Sequence, residues 1–209
     1  WLTSLTSAGV LYDIDLRLRP DGAAGLLVSP FESYREYQME KAWPWEHQAL
    51  SRARFVAGDR AIGSEFEALR VAVLRKERDI AALRGEVAAM RQKMLNAHPN
   101  RSELFDIKHD RGGLVDVEFA VQYLVLGHAH AHRELTGNIG NLALLKLAAR
   151  LGLLAEDRAQ AAHDAYRRLR QLQHALRLKG EKYARIAPRQ VEREARAVRE
   201  LWDAVIGRD

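Results

Sequence analysis

The most constraining feature of the sequence is an apolar stretch, LVDVEFAVQYLVLGHAHAH, at residues 114–132. In the middle of this stretch apolar residues fall on every side of a helix instead of along one stripe. A helix that is hydrophobic all round must be buried among other elements. The sequence therefore predicts a bundle with this helix at its centre. Helical patterns predict the surrounding helices at 60–76, 80–97, 139–151, 156–178 and 188–206, the last opening at Pro188.

Clear strand character is confined to the beginning of the chain, in LYDIDLRLRP at residues 11–20. Side chains alternate between the two faces of a strand, so the apolar residues share one face and four charged residues share the other. The charged face consists of Asp13, Asp15, Arg17 and Arg19. The small residues of DGAAG predict a turn, after which LLVSP returns as the second strand of a hairpin.

Short helices follow the predicted hairpin. Ser29 and Pro30 predict a helix start, because serine accepts a backbone N–H bond and proline suits the first position. A second helix is expected from about Trp45, and ARFVAG predicts one more short strand. The predicted fold is mostly α with a small antiparallel β element. The β-containing part spans 1–59 and the helical bundle spans 60–209.

Composition excludes several classes of protein. The 209 residues contain no cysteine, so disulfides and thiolate metal sites are excluded, and a cytoplasmic location is the default expectation. The formal charge of +5 is interspersed along helical segments, which does not favour nucleic-acid binding. No apolar run predicts a membrane span. Because the chain begins with Trp1, we expect a fragment of a longer protein.

The charged strand face has two interpretations. It is either the half-exposed edge of a sheet, on which acids pair with arginines, or a site for phosphoryl or nucleotidyl transfer. In the second case carboxylates hold Mg²⁺ through oxygen ligands and arginines neutralise phosphate oxygens.

Three further motifs also leave alternatives open. In EKAWPWEHQALSRAR two tryptophans flank a proline, which favours a corner where aromatic side chains pack helices together. Alternatively, Arg52 and Arg54 could reach a triphosphate or a protein surface. In FDIKHDRGGLVDVEF, Asp116 and Glu118 suit the helix dipole or contact a nucleotide, and their spacing places them on different helix faces. The histidines of HAHAH suit a helix C-terminus better than a zinc site.

The stretches at 10–59 and 105–126, with their RLRP strand and GG-x-x-D-[IV]-E-F helix, resemble the glutamine synthetase adenylyltransferase family. The resemblance implies a polymerase-β-like nucleotidyltransferase domain followed by helices. It also implies transfer of AMP from ATP to a tyrosine of glutamine synthetase, which controls nitrogen assimilation. The segment EKAWPWEHQAL is similar to the C-terminal, adenylylating half of the family's bifunctional enzyme.

The resemblance also implies roles for individual residues. Asp15 matches the third metal-binding acid, with Asp13 on the same face as a further catalytic acid. Arg17 and Arg19 would lie beside the triphosphate. Residues of the second signature border the catalytic cleft, where they would contact the nucleotide; they are Lys108, Asp116 and Glu118. The family's upstream Gly-Ser and Asp-x-Asp acids are absent from this sequence, so the chain alone is expected to be inactive.

The sequence leaves two alternatives to this function open. One is the deadenylylating half of the same enzyme, which removes AMP from tyrosine by phosphorolysis. The other is a non-catalytic role, in which the helices from about residue 60 dock glutamine synthetase or the PII signal protein, or transmit glutamine sensing between the two halves. An assay that compares AMP release with AMP transfer distinguishes the deadenylylating half from the adenylylating half. A binding experiment with glutamine synthetase or PII tests the non-catalytic role.

Overall fold

The computed structural model describes residues 4–7, 9, 15–16 and 19–207. Two short helices precede six that form the bundle, and two short strands join loops of the bundle. The helices are α1 (Phe31–Glu36), α2 (Pro44–Leu50), α3 (Arg60–Leu74), α4 (Ile80–Ala97), α5 (Leu114–His128), α6 (Asn141–Arg150), α7 (Glu156–Leu178) and α8 (Glu192–Val205). The strands are β1 (Phe105–Asp106) and β2 (Arg185–Ile186).

Helix α5 lies at the centre of the bundle, as its sequence predicts. Twelve of its fifteen residues are buried, and it packs against α2, α4, α6, α7 and α8. The outer helices bury one face each. On α8 the buried residues recur every three to four positions, which is the period of a helix packed on one side; they are Ala195, Val198, Leu201, Trp202 and Val205. No described helix is long and apolar enough to cross a bilayer.

The small antiparallel sheet is present, but it lies elsewhere than predicted. Phe105 pairs with Ile186 and Asp106 pairs with Arg185, so the sheet joins the loop before α5 to the loop before α8. The predicted return strand is wrong, because residues 26–28 are irregular and 67–84% exposed. Of the proposed partner strand at 11–20, four residues are described, and none of them belongs to a strand: Asp15, Leu16, Arg19 and Pro20. The carbonyl oxygen of Leu16 accepts from the side chain of Arg19 instead of from a neighbouring strand.

The predicted strand in ARFVAG is also absent, because side chains take up the backbone groups that a strand would pair. Asn138 donates to the carbonyl oxygens of Arg52 and Ala53 at 3.1 and 3.2 Å, and the N–H of Phe55 donates to Glu67 at 3.0 Å. This segment is therefore held against α3 and the loop before α6.

Helix starts differ slightly from the sequence predictions. Helix α1 begins at Phe31, with Pro30 at the cap position and no side-chain cap. After Glu36 the same turn continues as a π-helix over Tyr37–Lys41. Before α8, Pro188 opens a 3₁₀ turn, and the α-helix itself begins at Glu192. The predicted turn at DGAAG is confirmed as a 3₁₀ turn over Gly22–Ala24.

Buried polar contacts attach α2 to the bundle. The ring of His47 makes hydrogen bonds to the Gln38 carbonyl oxygen at 3.0 Å and to the Arg78 guanidinium at 3.3 Å. Arg78 also donates to carbonyl oxygens at the end of α3 and to Leu126 in α5. Burial, followed by the charges of Arg78 and Lys76, lowers the pKa of His47 to about 4. His47 is therefore neutral at pH 7, which allows one ring nitrogen to accept from Arg78.

Candidate functional site

A cavity of about 390 Å³ lies where α1, α2 and α3 meet the loop that contains Arg19. We call it the first cavity. Its aromatic walls are Tyr34, Trp45 and Phe66, and the rings of Tyr34 and Phe66 stack at a centroid distance of 6.3 Å. Two cationic side chains, Arg19 and Arg52, also line it. The first cavity thus combines aromatic surfaces with guanidinium groups.

A carboxylate and two tyrosines organise this side of the molecule. Glu46 accepts hydrogen bonds from the hydroxyl of Tyr37 at 2.9 Å and from the backbone N–H of Trp43 at 3.1 Å. Burial and the charge of Glu46 raise the pKa of Tyr34 to about 12, and the same causes raise the pKa of Tyr37. Both hydroxyls therefore remain protonated donors at neutral pH.

Gln38 contributes an unusual group to the wall of the first cavity. Its side chain is buried, with 5% of the residue exposed, and its Oε1 atom has no hydrogen-bond partner among the described residues. An unsatisfied buried acceptor is costly, so such atoms commonly mark the place of a ligand or water.

The two arginines of the first cavity are held by neighbouring groups. Arg19 donates from Nε to the Gly25 carbonyl oxygen at 3.2 Å and also to the carbonyl oxygen of Leu16. Arg52 lies 3.7 Å from Glu118 Oε1. The second signature of the sequence therefore reaches the first cavity through Glu118.

Glu118 is itself oriented from the core of the bundle. It accepts a hydrogen bond from the hydroxyl of Tyr166 at 3.0 Å, and that hydroxyl accepts from Asn141 at 2.9 Å. Burial and the negative charge of Glu118 raise the pKa of Tyr166, which keeps its hydroxyl a donor. This chain of contacts connects α6 and α7 to Arg52.

Asp116 points to a different set of partners from those of Glu118. It forms a buried ion pair with Arg91 at 2.5 Å and accepts from the N–H of Gly112 at 2.5 Å. Arg91 also donates to the carbonyl oxygen of His109 at 2.7 Å. Asp116 thus fixes the glycine turn and α4 relative to α5. Asp116 and Glu118 therefore contact different partners, as their spacing on the helix predicts.

The glycine pair before α5 has a packing role. Gly112 has φ = 89°, and a side chain there would meet the Ala195 carbonyl oxygen at 2.6 Å. A Cβ on Gly113 would meet the Ile107 carbonyl oxygen at 2.7 Å. Since the N–H of Gly112 already donates to Asp116, this helix start does not present that group to an anion.

Lys108 lines a separate cavity of about 230 Å³, which we call the second cavity. Its lining residues are all different from those of the first cavity. Asp106, beside Lys108, accepts from the backbone N–H groups of Lys108 and His109, each at 3.0 Å. Burial alone would raise the pKa of Asp106, but hydrogen bonds from His109 and Lys108 outweigh burial and hold the pKa well below its usual range.

The predicted strand-face residues are only partly described. Asp13 and Arg17 lie outside the described residues. Asp15 is exposed, and Arg19 is the member of this face that reaches a cavity. Among the described residues, no group of three or more His, Asp or Glu side chains is arranged to hold a metal ion. The proposed magnesium ligand Asp15 therefore has no complete ligand set within this part of the chain.

Sequence reasoning missed the walls of the first cavity. Tyr34 and Gln38 are four positions apart on adjoining helical turns, but Phe66 comes from α3, and no local pattern connects it to them. It did single out Arg52 as a residue that could reach a ligand. It interpreted the segment with Trp43 and Trp45 as a packing corner; His47 is buried there, but the two tryptophans are 65% and 40% exposed and do not wedge the helices together. Arg54 is exposed outside both cavities.

Comparisons with known proteins match the two parts of the chain separately. Residues 1–69 match the sequence model of glutamate-ammonia ligase adenylyltransferase, and residues 83–203 match that of GlnD PII-uridylyltransferase.

Similar curated proteins include bifunctional glutamine synthetase adenylyltransferase/adenylyl-removing enzymes. The chain is 58% identical over 206 residues to that of Bordetella bronchiseptica, an alignment that covers 99% of this chain and 22% of the relative. It is 58% identical over 207 residues to that of Aromatoleum aromaticum, with the same coverage. For the enzyme of Nitrosomonas europaea the identity is 55% over 221 residues, covering 99% of this chain and 24% of the relative. The chain thus spans less than a quarter of the length of these relatives.

Proposed function

Because this chain belongs to the glutamine synthetase adenylyltransferase family, we propose that it is part of an enzyme that transfers AMP from ATP to a tyrosine of glutamine synthetase. Residues 1–59 are then the remnant of a polymerase-β-like nucleotidyltransferase domain, and residues 60–209 are its helical domain. On this proposal the chain needs further parts of the enzyme for activity.

The first cavity is the observation that carries this proposal. Aromatic side chains bind the flat face of a base, and guanidinium groups bind phosphate oxygens in a planar fork. Gln38 in the wall of the first cavity carries an amide that can both donate to and accept from a base. A volume of about 390 Å³ falls within the range of small-molecule sites. Arg19 and Arg52 would then contact the phosphates.

The proposed reaction is a displacement at the α-phosphorus of ATP. The tyrosine oxygen forms the new P–O bond, the bond to the bridging oxygen breaks, and pyrophosphate leaves with that electron pair while the hydroxyl proton passes to a base. Positioning and charge neutralisation carry most of such chemistry. Arg17 and Arg19 have this role in the proposal, with Glu118 orienting Arg52. Lys108 lines the second cavity and Asp116 is paired with Arg91, so the proposal gives neither of them a contact with ATP in the first cavity.

We propose Asp15 as a magnesium ligand and Asp13, which lies outside the described residues, as a second acid of the same site. Carboxylate oxygens are suitable ligands for Mg²⁺, which commonly takes few of them from the protein. The described residues do not complete such a site, so the remaining ligands would come from outside them. Asp15 would hold the ion through its carboxylate oxygens, and the bound ion would supply positive charge beside the phosphates.

Asp15→Asn in the full-length enzyme tests the proposed site. We expect AMP transfer to glutamine synthetase to be lost while the thermal melting point is kept, because the exposed carboxylate contributes little to folding. Asp21→Asn is the matched control: it removes the same charge nearby, and its φ of 59° suits asparagine. Normal transfer by Asp15→Asn would remove Asp15 from the site.

The same variant distinguishes the two halves of the enzyme. We propose the adenylylating half, because the segment EKAWPWEHQAL that resembles this half also supplies Trp45 and Glu46 to the first cavity. Asp15→Asn should then lose AMP transfer and retain phosphorolytic removal of AMP. Loss of removal with normal transfer would assign the chain to the adenylyl-removing half instead.

A second candidate function is contact with the PII signal protein. It is favoured by the match of residues 83–203 to the model of a PII-uridylyltransferase. Titration calorimetry of this chain with PII would measure the contact directly. Saturable binding supports docking by this part of the chain, whereas no heat at high micromolar PII would contradict it.

A further inference from the structure

The second cavity lies between the C-terminal ends of α4 and α7, the turn at residues 106–109 and β2. Its polar lining is predominantly cationic or able to donate hydrogen bonds. The residues that matter for its chemistry are His98, Lys108, His109, Arg177, Tyr183 and Arg185. The cavity is thus formed by elements distant in sequence, brought together partly by the pairing of β1 with β2.

The charge of the second cavity is strongly unbalanced. Three permanent cations, Lys108, Arg177 and Arg185, line it, while Asp106 is the single carboxylate among its lining residues. The oxygens of Asp106 are already engaged by the backbone of the turn and by Arg185, whose Nε lies 3.4 Å from Oδ2. Asp106 therefore neutralises only part of this charge.

Several donors in the second cavity are not used by the protein. Within the described part of the chain, no hydrogen bond or ion pair is made by the ammonium of Lys108 or by the hydroxyl of Tyr183. Arg185 uses its Nε toward Asp106, which leaves its two terminal nitrogens for another acceptor. These groups converge on one space of about 230 Å³.

The arginines of the second cavity are held in place before any ligand arrives. Arg177 donates from Nη1 to the carbonyl oxygens of Glu181 and Lys182 at 3.3 and 2.7 Å. The guanidinium of Arg185 lies over the ring of Tyr183, 4.5 Å from its centroid. The rings of His98 and His109 stack at 4.4 Å and close another side. Such preorganisation reduces the entropy that binding must overcome.

We propose that the second cavity binds a phosphate group. The excess of positive charge disfavours a metal cation and suits a dianion better than a single carboxylate. The volume is below the usual range for drug-sized ligands, so it suits a phosphate or pyrophosphate group instead of a complete nucleotide. This site is additional to the proposed ATP site, because the two cavities share no lining residue.

Titration calorimetry of the 209-residue chain with inorganic phosphate, pyrophosphate and AMP tests the proposal and distinguishes the sources of the phosphate group. Tighter binding of inorganic phosphate or pyrophosphate identifies a free anion as the ligand, and tighter binding of AMP identifies a nucleotide phosphate. In both cases the affinity must depend on Lys108. The absence of saturable binding of all three probes at millimolar concentration would overturn the proposal.

Lys108→Gln should weaken binding about tenfold, the effect of losing one charge-assisted hydrogen bond. Arg168→Gln is the matched control, because this exposed arginine of α7 lies outside the second cavity. The backbone bond of residue 108 to Asp106 is retained in the variant, so the melting point without ligand should not change. Equal affinities for the two variants would assign the binding to general surface charge and overturn the proposal.

Tyr183→Phe provides a second measurement if Lys108→Gln does not fold. Tyr183 is 52% exposed, and the substitution removes only its hydroxyl. We expect about threefold weaker phosphate binding. Unchanged affinity in this variant, together with no phosphate-dependent shift of the Lys108 and His109 amide resonances, would exclude the second cavity as the binding site.

Discussion

The segment at 19–59 and the bundle at 60–206 are stabilised by different interactions. Of the buried apolar residues in the described chain, Leu50 alone comes from the segment, whose other buried side chains are polar: Gln38, His47, Gln48 and Ser51. The bundle buries leucine, valine and alanine throughout. The segment also exposes several large apolar residues, including Leu26, Leu27, Val28 and Trp43.

Because of this difference, the bundle determines most of the stability and the segment forms most of the proposed binding site. The segment supplies most of the first cavity and depends on hydrogen bonds for its attachment, whereas the bundle supplies the apolar core. Hydrogen bonds contribute about 1 kcal/mol each, and burying a leucine side chain contributes about 2 kcal/mol. Substitutions in the bundle should therefore affect folding most, and those in the segment should affect ligand binding.

Arg91→Ala should have the largest effect on folding, because it removes one partner of a buried ion pair. The side chains of Arg91 and Asp116 are 2% and 5% exposed. Leaving the carboxylate unpaired should cost about 3–5 kcal/mol in the free energy of unfolding. Urea unfolding at pH 7 measures this, with Lys93→Ala on the exposed side of α4 as the control. A loss below about 1 kcal/mol would contradict the importance of this pair to the bundle.

Leucine truncations compare the two regions directly. Leu145 in α6 is completely buried, whereas Leu27 is 67% exposed. Leu145→Ala should lower the free energy of unfolding by about 2–5 kcal/mol, since it removes buried methyl groups and leaves a cavity. Leu27→Ala should change it by no more than about 0.5 kcal/mol. Similar losses in urea unfolding would show that the segment packs as tightly as the bundle.

The bundle could be predicted because helical periodicity is local. The composition of residues 114–132 is sufficient to place α5 at the centre, and the described helix is buried as predicted. The sheet could not be predicted in this way. Its strands have two residues each and pair across 79 positions, as between Asp106 and Arg185, and neither strand is long enough to show alternation.

The candidate site was predicted only in part, because motifs are local whereas the site is assembled by long-range packing. Arg19, Arg52 and Glu118 were found by their residue type and motif, but their proximity depends on how α2 packs against α5. The partner of Asp116 is Arg91, twenty-five positions earlier, which no motif indicates. Alternation in LYDIDLRLRP predicted a strand, yet alternation cannot show whether a neighbouring strand exists.

Acid should weaken the attachment of the segment through His47. Its pKa falls from an unfolded value of 6.5 to about 4 in the fold, so the unfolded state binds more protons between these values. The contribution of neutral His47 to the free energy of unfolding is therefore fully present above pH 6.5. It decreases by up to about 3 kcal/mol as the pH falls toward 4.

Urea unfolding at pH 7.5, 5.5 and 4.5 measures this effect. His47→Gln should flatten the dependence, because glutamine can replace both hydrogen bonds of the ring without titrating. Part of the slope should persist in the variant, since burial also lowers the pKa of His128. Asp106 acts separately: its pKa is lowered, so its contribution is lost only as the pH falls below its unfolded value. If the free energy of unfolding depends on pH equally in the unmodified protein and in His47→Gln, His47 is excluded as the cause of the loss in acid.

The smallest expected difference concerns the helix starts on either side of the regional boundary. Asp59 accepts from the N–H groups of Ala61 and Ile62 at 2.7 and 3.3 Å and thereby caps α3, whereas α1 begins without a side-chain cap after Ser29. Asp59→Ala should cost about 1 kcal/mol, and Ser29→Ala should cost no more than about 0.3 kcal/mol. Differential scanning calorimetry can resolve this difference. A comparable loss in Ser29→Ala would show that Ser29 caps α1 in solution, as its sequence suggested.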